Sequence, residues 1–337
     1  DMNRPRYLHV LAQTAGGAPV AFGGSDERGF SGIDTVEVYD QSTTEKDAPR
    51  PESGTGLWID TNFEGDPISL LNGPRLMHTV SRLSSGSMII IGGTTDLLAS
   101  PPVDQTEIFD PGTRTLSTLE ASMVLPRFRH ASVQLHDGGI LLVGGQIQST
   151  VTVEDPNVQP GQVGNQTQVT VFISTNESEV YSPTEGAFKL LTISGTDTAS
   201  KLNSPRGRAG HAVQKLAGPD NTLLSPDDPL IIAGGFQTLS GENAPQNKQP
   251  GAVANDTADG ITTIEFYDPQ TRVFTQVGNV SLEQARVNDP HIMNLGTFND
   301  FTIDGIRGMG NVVQITHGND DAAPDCPLID EIISATY

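Results

Sequence analysis

Pro126-Arg127-Phe128-Arg129-His130 opens a stretch that runs to Pro183 and decides how the whole chain is read. The alternating run Ala131-Ser132-Val133-Gln134-Leu135 follows, and the turn Asp137-Gly138-Gly139 leads into the apolar run Ile140 to Val143, closed by Gly144-Gly145. A third strand-like run ends in Val180-Tyr181-Ser182-Pro183, and Phe188 stands five residues later. Period-two alternation predicts a half-buried first strand, and a Gly turn reverses the chain into a short buried second one. The paired glycines permit a bend that a side chain would obstruct. The stretch is one antiparallel meander.

The pattern recurs along the chain, which calls for a repeat architecture before any local motif is weighed. Its first arm returns as Arg6…His9, Arg75…His78, Arg127…His130, Arg206…His211 and, more weakly, Arg286…His291. Its second returns as Ala21-Phe22-Gly23-Gly24, Ile90-Ile91-Gly92-Gly93, Leu142-Val143-Gly144-Gly145 and Ile232-Ala233-Gly234-Gly235. Its third returns as Val38-Tyr39-Asp40, Ile108-Phe109-Asp110-Pro111, Val180-Tyr181-Ser182-Pro183 and Phe266-Tyr267-Asp268-Pro269. In three copies the step from His to the first Gly is fourteen residues, a regularity that chance rarely produces.

Together these arms resemble the kelch repeat, over roughly residues 4 to 291. The resemblance implies an all-β, kelch-like β-propeller of four-stranded antiparallel blades, with four clear units and a degenerate fifth against the roughly six or seven usual for the family. Blades would occupy residues 1–290, and the irregular segment 291–337 would complete or close the ring. The family's Trp slot holds Leu116, Phe188 and Phe274 in copies two to four, while Trp58 stands too far along in the first. The family also includes copper-radical enzymes of the galactose oxidase type, which need a tyrosine cross-linked to a cysteine. Here Cys326 lies in the irregular tail, and Tyr39, Tyr181 and Tyr267 fill the repeat's aromatic slot, leaving Tyr7 and Tyr337. The resemblance therefore does not extend to that active site.

Composition narrows the class further. The 337 residues carry 36 Gly and 23 Pro, as expected of short strands and turns, and a formal charge of -22. Only five of the nineteen basic residues are Lys, so a double-stranded nucleic acid, which is held by Lys and Arg against phosphate, is not an expected partner. There is no run of eighteen apolar residues to span a membrane as a helix. The chain starts at Asp1, almost at once inside a repeat, as expected of a piece of a longer precursor. Four Asn-X-Ser/Thr sequons begin at Asn165, Asn176, Asn255 and Asn279. With the acidic, loop-heavy composition, the expectation is an extracytoplasmic protein: periplasmic, cell-surface or secreted.

Antiparallel strands put the start of each first strand at the same end as the Gly-Gly bend. Arg6, Arg75, Arg127, Arg206 and Arg286 therefore share an end with two inserts, residues 146–177 and 236–262. In the kelch family the first strand is innermost, so the resemblance implies that these arginines converge near the channel mouth. There they could bind a carboxylate-bearing peptide or sugar, or they could bond neighbouring backbone carbonyls and acidic residues. The histidines at His9, His78, His130, His211 and His291 read as packing positions, and no pair stands at metal-ligand spacing. No cofactor is expected. Calcium would suit the clusters Asp227-Asp228 and Asn319-Asp320-Asp321 with Asp325, though neither matches a known loop spacing.

The expected function is a non-catalytic binding or scaffold propeller that engages a protein partner through the face bearing the arginines and inserts, as a subunit of a larger extracytoplasmic assembly. The alternative is a carbohydrate-binding or carbohydrate-active propeller using the channel mouth. The insert 146–177 is itself predicted to form an extra hairpin from Val151-Thr152-Val153 and Val169-Thr170-Val171-Phe172.

Overall fold

The computed structural model describes residues 2–26, 32–40, 56–96, 100–154, 166–217, 225–238, 258–282, 291–303, 306–316 and 331–335. Among these, every regular element is a β-strand. No helix among the described residues is long and apolar enough to cross a membrane. The chain divides into two compact units, residues 1–128 with 184–188 and residues 129–183 with 189–337.

The first unit holds two four-stranded antiparallel meanders. Strands β1 (Val10–Gln13), β2 (Pro19–Phe22), β3 (Val36–Asp40) and β4 (Leu57–Ile59) lie in sequence order in the first. Strands β5 (Thr79–Arg82), β6 (Met88–Ile91), β7 (Thr106–Asp110) and β8 (Thr115–Leu119) do the same in the second. The inner strand β6 is apolar at every position and wholly buried, because both of its faces are covered. Val20, Phe22, Val36 and Val38 of the first sheet pack on Met88, Ile90 and Phe109 of the second. Phe22 meets Phe109 edge to face, with ring centroids 5.5 Å apart. Each such side chain removed from water contributes roughly 1.5–3 kcal/mol, and neither sheet could shelter its own apolar face alone.

The second unit repeats the plan with additions. Strands β9 (Ala131–Gln134) and β10 (Ile140–Val143) are followed by the hairpin β11 (Gln146–Glu154) and β12 (Gln166–Ser174), then by β13 (Ser178–Ser182) and β14 (Ala187–Leu190). The sheet order is β14-β13-β10-β9, with β11 and β12 forming a two-stranded sheet of their own. The fourth sheet comprises β15 (Ala212–Lys215), β16 (Leu230–Ala233), β19 (Thr263–Asp268) and β20 (Val273–Ser281), while β17 (Phe236–Thr238) and β18 (Ala258–Gly260) pair separately. Leu141 and Val143 of the third sheet pack with Leu230, Ile232, Tyr267 and Phe274 of the fourth. The opposite face of the fourth sheet buries Ile231, Ala233 and Ile264 against Leu216 and Leu282. Finally β21 (His291–Ile303), β22 (Ile306–Thr316) and β23 (Glu331–Ala335) form a three-stranded antiparallel sheet. Among the described residues these last strands pair with one another and enter none of the four-stranded sheets.

Trp58 corrects the sequence reading. It lies directly opposite Tyr39 across β3 and β4, with ring centroids 5.5 Å apart. Leu116 lies opposite Phe109 and Phe274 opposite Tyr267 in the same slot of their sheets. The slot is set by strand register, and the extra length of chain before Trp58 is absorbed between β3 and β4.

One hydrogen bond recurs at three of the bends. The second glycine donates its N–H to the carbonyl of a downstream framework arginine: Gly24 to Arg75 at 2.7 Å, Gly93 to Arg127 at 3.0 Å and Gly145 to Arg208 at 2.8 Å. All these glycines have positive φ. A Cβ added at Gly144 would sit 2.2 Å from the Arg208 carbonyl oxygen, and one at Gly23 would sit 2.5 Å from that of Arg75. The pair is therefore required twice over, by backbone conformation and by the approach of the next sheet.

Gly144→Ala is expected to lower stability by roughly 3 kcal/mol or more, since a left-handed backbone strain is compounded by a clash that must displace backbone. Gly86→Ala, at φ 93° with nothing within 4 Å of an added Cβ, should cost only about 1–2 kcal/mol. Urea unfolding of the two variants checks the difference.

Candidate functional site

Three of the described bends are each organised by an arginine aimed at them. The Arg6 guanidinium donates to the Gly23 carbonyl at 2.8 Å and the Thr35 carbonyl at 3.0 Å, and it forms an ion pair with Glu37. Arg75 donates to the carbonyls of Gly92 at 3.1 Å and Gln105 at 2.8 Å, and pairs with Glu107 at 2.8 Å. Arg208 donates to the carbonyls of Gly234 at 2.9 Å and Thr263 at 2.9 Å, and pairs with Glu265 at 3.1 Å. All six side chains in these pairs are 0% exposed. Burial pulls Arg75 and Arg208 below the usual guanidinium range, and Glu107 and Glu265 pull them back.

The glutamates also tie down the chain that precedes each arginine. Glu37 accepts from the backbone N–H of Asn3 at 2.6 Å and of Arg4 at 3.3 Å. Glu107 accepts from Leu71 at 2.7 Å and Asn72 at 3.3 Å, and Glu265 from Asn203 at 2.6 Å. Saturating a buried carboxylate with charge-assisted bonds offsets much of its desolvation cost.

Between arginine and histidine the backbone turns left-handed at one slot: Leu8, Met77 and Arg129 have φ of 53°, 56° and 54°, and Gly210 has 58°. That turn presses the histidine onto the bend of its own sheet, where a Cβ at Gly93 would lie 2.8 Å from the His78 Cβ. His78 and His211 are buried, and their ring nitrogens meet no protein partner. Burial first, and then the neighbouring Arg75 and Arg208, push them down to about 3, with His9 adding to the effect on His78. His9 is lowered as well, by burial and then by Arg6. Burial therefore favours the neutral form of His9, His78 and His211. Among the described residues no three His, Cys, Asp or Glu side chains converge as a metal site would require.

The structure places the five sequence-nominated arginines differently from one another. Arg6 and Arg75 lie inside the sheets, spent on carbonyls and a glutamate, so they do not line an open ring of guanidinium groups. Arg127 is likewise buried and donates from Nε to the Leu125 carbonyl at 3.1 Å. In the fourth unit the slot belongs to Arg208 and not to Arg206, which is half-exposed and offers its backbone carbonyl to Ser174 Oγ at 2.6 Å. The signal was present in the sequence, since the first three copies space arginine and histidine three apart, as Arg208 and His211 do. Arg286 lies outside the described residues. The glutamates went unnominated, although each stands two positions before the aromatic of its third strand, at Glu37, Glu107, Glu179 and Glu265. Asp227 and Asp228 knit a turn: Ser225 Oγ donates to both, and its N–H reaches Asp228 at 3.0 Å. The second acidic cluster, Asn319 to Asp325, and Cys326 lie outside the described residues.

Both inserts contribute strands at the Gly-Gly end of the second unit. The hairpin β11–β12 keeps full register over nine pairs, from Gln146 opposite Ser174 to Glu154 opposite Gln166. It is laced to β17 through Ser174 and Thr238: the Ser174 N–H donates to Thr238 Oγ1 at 2.8 Å, and the Thr238 N–H to Ser174 Oγ at 2.9 Å. Arg129, seated over the Phe236 ring at 5.4 Å and bonded to Gln146 at 3.3 Å, fastens the base of both hairpins.

No protein-family model matches this chain. No curated protein sequence matches it either. Among solved structures, that of YjhT is similar, with a TM-score of 0.41 and 12% identity over 99% of each chain.

Glu107→Ala should destabilise by roughly 3–5 kcal/mol, because the Arg75 cation is left buried without its counter-charge. Adding Arg75→Met to Glu107→Ala should recover only part of that loss in denaturant unfolding, because it removes the unpaired cation but leaves the Gly92 and Gln105 carbonyls without their donor. Acid should act through the histidines. Their folded pKa values near 3 lie below the ordinary 6.5, so the unfolded chain takes up protons that the native state refuses. Stability is therefore whole above pH 6.5 and falls as pH drops toward 3, by up to about 1.4 kcal/mol per pH unit for each histidine. His78→Gln with His211→Gln should flatten that slope in unfolding curves taken between pH 7 and 4.

Proposed function

We propose that this chain is a kelch-like β-propeller that works as a non-catalytic binding module, taking a protein partner on the surface formed by β11–β12 and β17–β18. The carrying observation is the construction of β11–β12. Two nine-residue strands pair only with each other among the described strands, so each has one edge outside any described ladder. An isolated two-stranded hairpin is marginal in water, and an open strand edge is a template for a strand from another chain.

Side-chain alternation agrees with that reading. Ile147 stands opposite Ile173 and Ser149 opposite Val171, which puts a half-buried, largely apolar row on one face. Gln148, Thr150, Gln168 and Thr170 stand exposed on the other, beside the half-buried Phe172. Such a two-sided ribbon suits an extended segment or sheet edge of a second protein. The propeller itself is supported by four four-stranded antiparallel sheets, by cores shared between neighbouring sheets, and by the arginine and Gly-Gly framework repeated in them. The buried arginines hold the platform in place and leave recognition to the hairpins. The net charge of -22 and the few lysines fit an acidic, extracytoplasmic setting within a larger assembly.

The test is a chain in which residues 148–172 and 238–258 are each replaced by a short Gly-Ser turn. It should unfold in the same cooperative transition as the parent, and a protein recovered from native extract with the parent should be missing with the deleted form. Equal recovery of that protein by both chains would end this reading.

A further inference from the structure

The turn end of the first unit, opposite its Gly-Gly bends, holds a groove of about 690 Å³ bounded by the β1–β2, β5–β6 and β7–β8 turns. Its polar and aromatic groups come from separate loops that converge. Phe63 is 67% exposed, although a phenylalanine so placed contributes little to folding. Its loop is nonetheless fixed: Asn62 Oδ1 accepts from the N–H groups of Glu64 at 3.0 Å and Asp66 at 2.9 Å, and the Asn62 N–H reaches the Asp66 carbonyl at 2.8 Å. Arg114 lies over the ring at 4.5 Å and is paired through Nη2 with Asp40 at 2.8 Å. An exposed aromatic ring has thus been given a rigid loop and a cation behind it.

Arg114 repeats the idea. Among the described residues its Nη2 is engaged by Asp40, and no other bond from the guanidinium is seen. The side chain is 11% exposed, so Nε and Nη1 are held in one place beside the groove. The remaining wall is backbone and hydroxyl: the glycine turns at Gly16-Gly17, Gly86 and Gly112, with Thr14, Ser85 and Ser87. Because Asp40 neutralises Arg114, Asp110 also lines the groove, and the chain as a whole is strongly acidic, the groove has no excess positive charge for a phosphate or a nucleic acid. It offers an aromatic face, a forked donor, carboxylate and hydroxyl acceptors, and room for more than one ring. That combination matches a neutral molecule with an apolar face and a rim of hydroxyls.

We infer that this groove is a binding subsite for a neutral oligosaccharide, with Phe63 as the stacking platform and Arg114, oriented by Asp40, as the donor to sugar hydroxyls. The site uses none of the hairpin residues.

The test is titration of the full chain with three neutral trisaccharides, cellotriose, maltotriose and tri-N-acetylchitotriose, by calorimetry and saturation-transfer NMR. At least one should bind at millimolar or tighter Kd. Phe63→Ala, which removes an exposed ring and leaves the core untouched, should weaken that binding at least about fivefold. Arg114→Asn, which tolerates the left-handed backbone at this position, should weaken it likewise. The hairpin-deleted chain should bind the same trisaccharide unchanged, so loss of the hairpin reading and loss of this one are told apart. Absence of binding by all three sugars at about 10 mM, or an affinity that neither substitution alters, would overturn the inference.

Discussion

The interaction on which this architecture depends is the buried guanidinium that reaches from the start of a sheet to its Gly-Gly bend. A bend made by two left-handed glycines leaves carbonyl oxygens pointing into a dry interior, and an unpaired buried carbonyl is costly. Arginine meets that need because its planar fork delivers several donors at fixed angles from one point. A buried cation then demands a counter-charge, which Glu37, Glu107 and Glu265 supply from the adjacent strand. The glutamate in turn fixes the approach of the chain to the arginine. Bend, cation, anion and entering segment form a closed set, and removing one member leaves the others unsatisfied.

Sheet pairing follows from this frame. The arginine fixes where each arc begins, the left-handed residue after it turns the histidine inward, and the arginine's own carbonyl is left free to take the N–H of the previous bend. Apolar packing supplies most of the stabilisation, as Phe22 on Phe109 illustrates, but it does so without direction. The hydrogen-bonded frame determines which faces meet. A neutral histidine suits the crowded position against the bend, because a charged ring there would face an arginine.

Much of this was legible in the sequence because its causes are local and periodic. The strands Pro19–Phe22, Met88–Ile91 and Ile140–Val143 follow from short apolar runs ended by Gly-Gly, and the hairpin β11–β12 from alternation within the insert. What escaped the sequence reading was set by contacts across the chain. Trp58 looked misplaced because spacing along the chain was used where register across the sheet decides. Arg206 was taken for Arg208 because both lie near His211, and only the carbonyls of Gly234 and Thr263 show which one fills the slot. The glutamates were hidden among 41 acidic residues until a partner at hydrogen-bond distance singled them out. Phe63 and Arg114 are far apart in the chain, and no periodicity links them.

The bond from each bend to the next arginine carbonyl has a consequence for how such a chain can be made. Gly24 waits for Arg75 and Gly145 for Arg208, in both cases a partner dozens of positions downstream. During synthesis a freshly emerged meander thus retains an unanswered amide until its successor leaves the ribosome. The smallest self-sufficient piece is larger than one sheet, and any truncation point falling within a successor reopens the bend before it.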